Sequence, residues 1–351
     1  MLFQRKKDIL GIDIGSSSVK LVQLKQQKGA YSLQNVGLLP LPPEAIVDNT
    51  LMDSSSIVET IKKLLSSLNV KEKEAVCSIS GNSVIIRKIS LPSMPPEELE
   101  EQIHWEAEQY IPFDINDVNI DFQLLAPDGQ DAAKMNVLLV ASKKDIIDDY
   151  ITVFNEAGLK LAVMDVDSFA VQNAFELNYD TDPDDVYALI NIGASIMNIN
   201  IVKGGVSLFT RDVQMGGNLY TEEISKQFGV GIDEAERLKL TGESPEGGHI
   251  QDVISRINET LAIEIRRSLD FYNSNASEGK IAKVFLSGGC AKIDMLTDAV
   301  GERLGLPVEL LNPIQKIMFS DKEFDPEYLQ EIGPLVTVAL GLATRRQGDK
   351  W

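Results

Sequence analysis

The sequence predicts an α/β fold of two duplicated lobes, with a central cleft between them and a smaller α+β unit inserted into the first. A strand, a Gly/Ser turn and a second strand occur around Gly15 and again around Gly193. The 351 residues exceed the roughly 250–300 at which one hydrophobic core stops growing. Between about residues 82 and 163, short Pro-punctuated strands surround an acidic helix, which indicates a separate unit.

These patterns predict four structural units. The first lobe core is expected to combine three separate stretches of chain, because the inserted unit and the second lobe interrupt it. The predicted units are 1–81 with 164–184 and 328–346 (first lobe core), 82–163 (inserted subdomain), 185–217 with 281–327 (second lobe core), and 218–280 (helical subdomain of the second lobe).

The first hairpin, GIDIGSSSVK, carries the residue types of a phosphate site. Gly15 allows the turn to approach a ligand closely, and successive N–H groups and hydroxyls can surround phosphate oxygens. Asp13 can hold a hydrated Mg²⁺. A plain Ser-rich hairpin is the alternative, but an Asp within an Ile-rich strand needs a partner, which favours the functional interpretation. The candidate ligands are Asp13 for the metal and Gly15, Ser16, Ser17, Ser18 and Lys20 for the nucleotide.

The second hairpin, NIGASIMN, repeats this layout. Gly193 occupies the place of Gly15, and Asn191 the place of Asp13, so Asn191 is the second metal candidate. One such loop is weak evidence, whereas two at matching places predict a triphosphate held between the lobes. The candidate nucleotide ligands here are Gly193, Ala194, Ser195 and Asn198.

Three further groups are candidates for contact with adenosine. The pair Gly288 and Gly289 follows an apolar strand, where it can admit a flat base or simply allow tight strand–helix packing. Gly216 and Gly217 precede a predicted helix. Glu264 and Arg267 lie one turn apart on another helix, where they can bracket an adenosine or form an ordinary surface ion pair.

Composition narrows the choice of partners. The formal net charge of −20 disfavours nucleic acid and an anionic membrane surface, so we expect membrane association only through a protein partner. The chain has two cysteines and two histidines, without the spacing of a disulfide framework or a zinc site. The basic start MLFQRKK is not followed by an apolar run, so we expect no signal peptide and a cytoplasmic location.

Taken in order, these motifs resemble those of the superfamily of actin, sugar kinases and heat-shock chaperones, which implies an actin-like ATPase fold. The nearer resemblance is to the PilM family of type IV pilus machines. It rests on GIDIGSSSVKLVQL, LPSMPPEELEEQIHWEAEQYIPFDINDVNIDFQLL, NIGASIMNINIVKGG, EIRRSLDFY and GPLVTVALGLATRR. The second block belongs to the inserted subdomain, which this family shares in placement with the cell-division protein FtsA.

The resemblance implies a cytoplasmic adaptor, peripheral to the inner membrane, that binds ATP and Mg²⁺ between its lobes. Its inserted subdomain would bind the cytoplasmic N-terminal peptide of the membrane protein PilN. Other inner-membrane platform proteins, pilus motor ATPases and a second copy of the chain are further partners to expect. His104 and Trp105, on the acidic helix, are predicted to be packing residues.

One departure from the superfamily pattern bears on catalysis. Asn191 stands where the superfamily usually has Asp, and no general base is evident from the sequence. We therefore expect ATP binding with slow or absent hydrolysis and assign no catalytic residue. The alternatives are a sugar- or acetate-type kinase, which needs a base near a substrate hydroxyl, and a filament-forming cytoskeletal ATPase.

Overall fold

The computed structural model describes residues 8–27, 29–47, 49–125, 133–244, 249–275, 279–346 and 348–349. Its elements follow in chain order. The first half contains β1 (Ile9–Ile14), β2 (Ser18–Gln27), β3 (Ala30–Pro40), β4 (Ile46–Val47), β5 (Thr50–Leu51), α1 (Ser54–Ser67), β6 (Glu74–Ile79), β7 (Val84–Pro92), α2 (Pro96–Glu108), β8 (Val118–Leu124), β9 (Lys134–Lys143), α3 (Lys144–Glu156), β10 (Lys160–Val166) and α4 (Asp167–Asn178). The second half contains β11 (Val186–Ile192), β12 (Met197–Lys203), β13 (Val206–Val213), α5 (Asn218–Phe228), α6 (Ile232–Thr241), α7 (Ile250–Asn275), β14 (Ile281–Ser287), α8 (Leu296–Leu304), β15 (Val308–Leu310), α9 (Pro326–Ile332) and α10 (Thr337–Ala343).

Two five-stranded sheets share one topology, which confirms the duplication. Their strand orders are β10-β6-β1-β2-β3 and β15-β14-β11-β12-β13. In each sheet the first three strands along the chain are antiparallel, and the first of them pairs in parallel with a later strand. Strands β1 and β11 are buried almost throughout, as expected for strands covered on both faces.

The inserted unit is a three-stranded antiparallel sheet, ordered β7-β9-β8, with α2 on one face. Leu99, Ile103 and Ala107 lie at helical spacing along α2 and are buried against that face. The sequence prediction placed α3 and the start of β10 in the inserted unit; in the structure α3 packs in the core of the first lobe and β10 pairs with β6.

Helix α10 packs unusually closely between β1 and α4, and glycines make this possible. A Cβ on Gly11 would lie 2.0 Å from the carbonyl oxygen of Ala339. A Cβ on Gly341 would lie 1.7 Å from the carbonyl oxygen of Ala170. Both distances are far below the van der Waals contact distance. Only glycine, which has no Cβ, lets the two backbones approach this closely.

Local backbone features set the ends of three helices. A 3₁₀ turn at Gly289–Lys292 precedes α8, and Met295, with a φ of 58°, separates the two. The final helix begins as 3₁₀ over Gly333–Val336 before α10, because Pro334 fits only the first turn of a helix. The N-cap of α1 is Asp53, whose carboxylate accepts from the Ser56 N–H at 3.0 Å.

Four short elements were not predicted. Strands β4, β5 and β15 have two, two and three residues and helix α9 has seven, too few to give a clear periodicity. Among the described residues, no helix has the length and apolar character needed to cross a bilayer.

Replacing Gly341 with Ala should destabilise the protein by about 1–3 kcal/mol, because the new methyl group must push α10 away from α4. Thermal unfolding followed by circular dichroism measures the effect. The matched control is Gly301→Ala in α8, where an added Cβ finds ordinary contacts at 3.6 and 3.7 Å. That variant should unfold at the same or a higher temperature. Equal melting temperatures for Gly341→Ala and the parent would contradict the close packing.

Candidate functional site

The two predicted hairpin bends meet across the cleft between the lobes. The hydroxyls of Ser16 and Ser195 are hydrogen-bonded to each other. Beside this contact the cleft leaves a cavity of about 80 Å³, below the roughly 300–1,000 Å³ of small-molecule sites, so the cleft is nearly closed in this conformation. Its lining brings together Asp13, Gly15, Ser16, Ser17, Lys20, Asn191, Gly193, Ala194, Ser195 and Asn198. Ser18 is not part of this lining and is buried within β2.

The backbone of each bend presents hydrogen-bond donors. Gly15 N–H donates to Ser18 O at 3.1 Å, and Gly193 N–H donates to Ile196 O at 2.8 Å, which closes each turn. The next two N–H groups in each bend make no hydrogen bond to any residue the structure describes. These groups belong to Ser16, Ser17, Ala194 and Ser195. Such successive free donors, with adjacent hydroxyls, are suited to an anion.

Asp13 and Lys20 face each other across the first hairpin. Their positions pair between β1 and β2, and Lys20 Nζ lies 3.1 Å from Asp13 Oδ2. Both side chains are 13% exposed, so the pair is largely shielded from water. The buried Asp therefore has the partner that its position in an apolar strand demanded.

The second hairpin contains a chain of amide hydrogen bonds. Ser287 Oγ donates to Asn191 Oδ1 at 3.2 Å, and Asn191 Nδ2 donates to Asn198 Oδ1 at 3.1 Å. Asn198 Nδ2 then donates to Asp212 Oδ1 at 2.9 Å. Both ends of the Asn191 amide are thus engaged within the second lobe.

Asp167 is a cleft residue that the sequence reasoning missed. It opens α4 and accepts a hydrogen bond from Ser78 Oγ at 2.6 Å. Burial, with the nearby Asp13 carboxylate, raises the pKa of Asp167 to about 6. A signal was present in the sequence: parallel strands β1, β6 and β10 are followed closely by polar residues, and the carboxyl ends of parallel strands share one edge of a sheet.

Three of the four glycines predicted to contact adenosine pack against the backbone of the second hairpin. Gly217 N–H donates to Gly193 O at 2.9 Å, and a Cβ on Gly216 would lie 2.5 Å from that same oxygen. Gly288 has a φ of 87°, and its Cβ would lie 2.4 Å from Ile192 O. The tight-packing interpretation therefore describes Gly288, whereas Gly289 is uncrowded, with Leu335 as its nearest neighbour at 3.8 Å.

Glu264 and Arg267 do not line the cleft. Glu264 accepts from Arg211 at 3.0 Å, and Arg267 lies 3.6 Å from Glu264 with 75% of its side chain exposed. The ion pair between Glu264 and Arg211 joins α7 to β13. A surface ion-pair network is the arrangement that the structure shows for these residues.

A protein-only metal cage is missing from the described part of the chain, where no three His, Cys, Asp or Glu residues cluster. This does not count against magnesium, which is usually bound through one or two carboxylates, waters and substrate phosphates. Asp13 fits that pattern as a cleft carboxylate near a strand end. Asn191 contributes at most an amide oxygen that already accepts from Ser287.

The prediction that His104 and Trp105 pack in the core was wrong. Both are exposed, and Trp105 is 76% exposed on the face of α2 opposite its buried residues. Leu99, Ile103 and Ala107 already fill the buried stripe of α2, so the large aromatic side chain of this amphipathic helix lies on its exposed face.

Replacing Asp167 with Asn should stabilise the protein at pH 8 by about 1–3 kcal/mol and by about half as much at pH 5, which lies between the unfolded and folded pKa values. The pKa of about 6 lies above the ordinary 3.8, so the protonated side chain favours folding, and this contribution is lost as pH rises through 6. Urea unfolding at both pH values measures the effect. The exposed Asp148→Asn is the matched control. An equal gain at pH 5 and pH 8 would contradict the raised pKa.

Comparison with known proteins places this geometry in a family. The model of the type IV pilus assembly protein PilM matches residues 11–347. A solved PilM–PilN type IV pilus biogenesis complex contains a chain with 32% identity and a TM-score of 0.88, over 97% of this chain and 98% of that one.

Two more distant proteins share the fold. Cell division protein FtsA of Bacillus subtilis (strain 168) is 23% identical over 253 residues, 66% of this chain; the match spans 57% of that curated relative's length. MreB 5 of Spiroplasma citri, solved bound to AMPPNP, has 12% identity and a TM-score of 0.51 over 95% of this chain and 94% of its own. These likenesses confirm the actin-like ATPase fold. The chain belongs to the PilM family of type IV pilus assembly proteins.

Proposed function

We propose that this protein is a nucleotide-binding adaptor of the type IV pilus machinery, with ATP in the interlobe cleft and a membrane-protein peptide on the inserted subdomain. The observation that carries the nucleotide site is the pair of opposed bends, each with two unbonded N–H groups on residues that line one cleft. The AMPPNP complex of MreB 5, a protein of the same fold, supports nucleotide as the anion bound there.

Nucleotide binding requires a local opening of the cleft. The hydrogen bond between Ser16 and Ser195 closes the space directly between the bends. Phosphate oxygens can replace each hydroxyl's partner, so the two serines exchange one mutual bond for bonds to the ligand. Gly289, the uncrowded member of its pair, is the proposed contact for the base, and Glu264 and Arg267 are proposed contacts after rearrangement.

Magnesium accompanies the nucleotide in this proposal and would neutralise part of its phosphate charge. Asp13 would hold it through water, and Lys20, 3.1 Å from Asp13, would turn towards the phosphates. The cleft already contains the carboxylates of Asp13 and Asp167, so a bound polyanion needs these cations.

Hydrolysis is proposed to be slow. Asn191 cannot act as a base, and its amide is engaged by Ser287 and Asn198. Asp167 remains as a cleft carboxylate to orient a water molecule, but its Oδ1 already accepts a hydrogen bond from Ser78. Rapid ATP turnover abolished by Asp13→Ala would contradict this part of the proposal.

The adaptor role follows from family membership together with the form of the inserted sheet. The solved relative is a complex with PilN, and we propose that this chain likewise binds the cytoplasmic N-terminal peptide of a PilN-type protein. One face of the inserted sheet packs on α2, and the opposite face, which we call the inner face, turns towards the first lobe.

The inner face is apolar and incompletely covered. Leu138 is buried there against Val166 and Phe169 of the first lobe, whereas Ile86 and Val140 are only partly buried. β7 and β8 are the outer strands of their sheet, and β10 is the outer strand of the neighbouring one. An extended peptide can therefore place an apolar side chain on the inner face while its backbone pairs with a strand edge.

The remaining proposals rest on net charge and on family membership. A protein of net charge −20 is best brought to a membrane by a protein partner, so we propose a cytoplasmic location peripheral to the inner membrane. Other platform proteins, pilus motor ATPases and a second copy of the chain complete the expected partners. Membership of the PilM family favours the adaptor over a sugar or acetate kinase.

Replacing Asp13 with Asn should remove most of the benefit of Mg²⁺ to ATP binding, because the metal loses its charged ligand. We expect magnesium to strengthen binding of a fluorescent ATP analogue to the parent, and this enhancement to fall by about tenfold in the variant. Affinity without magnesium should be equal or higher, since one negative charge is gone. Asp182→Asn, exposed and outside the cleft lining, is the control. An unchanged magnesium enhancement would rule out Asp13 as the metal ligand.

Replacing Ile86 and Val140 together with Ala should weaken binding of the PilN-type N-terminal peptide by about tenfold, through loss of the apolar contact. Fluorescence polarisation of a labelled peptide measures the affinity, and circular dichroism checks folding. Trp105→Ala, on the opposite side of the inserted unit, is the matched control and should bind normally. The reverse result, with only Trp105→Ala defective, would move the site to the outer face of α2.

A further inference from the structure

The inserted sheet is attached to the first lobe at a point that also forms part of the cleft wall. We call this attachment the root; it consists of Ser80–Val84 and Ser142. Ser142 Oγ donates to Ser83 O at 2.7 Å, and the β-ladder pairs Val84 with Ser142, so the two chain crossings are joined. Ser80 and Ser83 line the cleft. A ligand in the cleft and a peptide on the inserted sheet therefore share this piece of backbone.

Asp212, at the end of β13 in the second lobe, reaches across to the root. Its Oδ2 accepts from Gly81 N–H at 2.5 Å, and its Oδ1 accepts from Asn198 Nδ2 at 2.9 Å. One carboxylate thus joins the root in the first lobe to the second hairpin bend. Neither the sequence motifs nor the cleft lining points to this residue.

The root has little freedom at this contact. Gly81 has a φ of 62°, and a Cβ there would lie 2.1 Å from Asn49 Nδ2 and 3.0 Å from Ile196. Asn49 Nδ2 also donates to Ser80 O at 2.6 Å. Gly81 is held between a loop of the first lobe and the second hairpin, so relative movement of the lobes must either move the root or break its bond to Asp212.

Movement of the root has a direct route to the inner face. Val84 follows it and begins β7, which pairs with β9 along its whole length. Ile86 and Val140, the proposed peptide contacts, are cross-strand partners in this ladder. Because a paired sheet moves as a unit, a shift at Gly81 repositions the inner face relative to Val166 and Phe169.

We propose that Asp212 is a latch that couples the nucleotide cleft to the peptide surface. This inference rests on the proposed function. A nucleotide must part Ser16 from Ser195, and the two groups beside the latch, Asn198 and Ser80, line the same cleft. Cleft occupancy therefore changes the Asp212–Gly81 bond, and through it the affinity for the peptide. By linkage, the peptide changes nucleotide affinity by the same factor.

The test is the coupling factor, defined as the ratio of peptide dissociation constants with and without saturating AMPPNP and Mg²⁺. The parent should show a factor of about five or more, in a direction that the reciprocal nucleotide titration must reproduce. Asp212→Asn leaves one carbonyl oxygen to serve two donors, and its factor should fall to within about twofold of unity. Exposed Asp298→Asn, on α8, is the matched control and should keep the parental factor.

A second variant, Ser142→Ala, removes the bond across the root without touching Asp212 and should also reduce the factor. Melting temperatures establish that each variant is folded. Full parental coupling in folded Asp212→Asn, or a factor of one in a parent that binds both ligands, overturns the latch alone. A parent that fails to bind either the nucleotide or the peptide overturns the proposed function, and the latch with it.

Discussion

The arrangement of the site depends on how closely α10 is seated between β1 and α4. Gly11 and Gly341 remove the two side chains that would hold these elements apart. α10 thereby contacts the first strand of the first lobe and, through Val338 and Leu342, an apolar cluster shared with the second lobe. Val338 also lines the cleft, so the helix forms part of its floor. The opposed position of the two bends is a consequence of this backbone-to-backbone contact.

The two halves of the proposed anion site differ in their electrostatic character. The first hairpin combines a carboxylate with an ammonium group, Asp13 with Lys20. The second replaces charge with amides, since Asn191 and Asn198 stand in equivalent strand positions and hydrogen-bond each other. A neutral second half lowers the repulsion that a triphosphate meets in a chain of net charge −20. Because residue 191 is an amide, it also cannot act as a base that activates water.

Much of this fold and site could be predicted from the sequence because it is local. Gly15 and Gly193 mark turns between apolar strands, and those turns do oppose each other in the cleft. The site residues that were not predicted depend on contacts between residues distant in sequence. Asp167 enters the cleft through the parallel pairing of β10 with β6, and Asp212 gains its role from Gly81 in the other lobe. At Gly288 the sequence motif is typical of a ligand-binding loop, but in the structure this glycine allows close packing on Ile192.

The buried carboxylate of Asp165 has a consequence for biosynthesis. Its side chain is fully shielded, and its cationic partner is Arg345, 3.1 Å away and just beyond α10. A ribosome releases Arg345 long after Asp165, together with the helix that fills the groove along Gly11. Until then a folded first lobe would bury the Asp165 carboxylate without its cation and leave this groove open, both unfavourable. The lobe begun first is therefore completed last, after the inserted sheet and the second lobe have emerged.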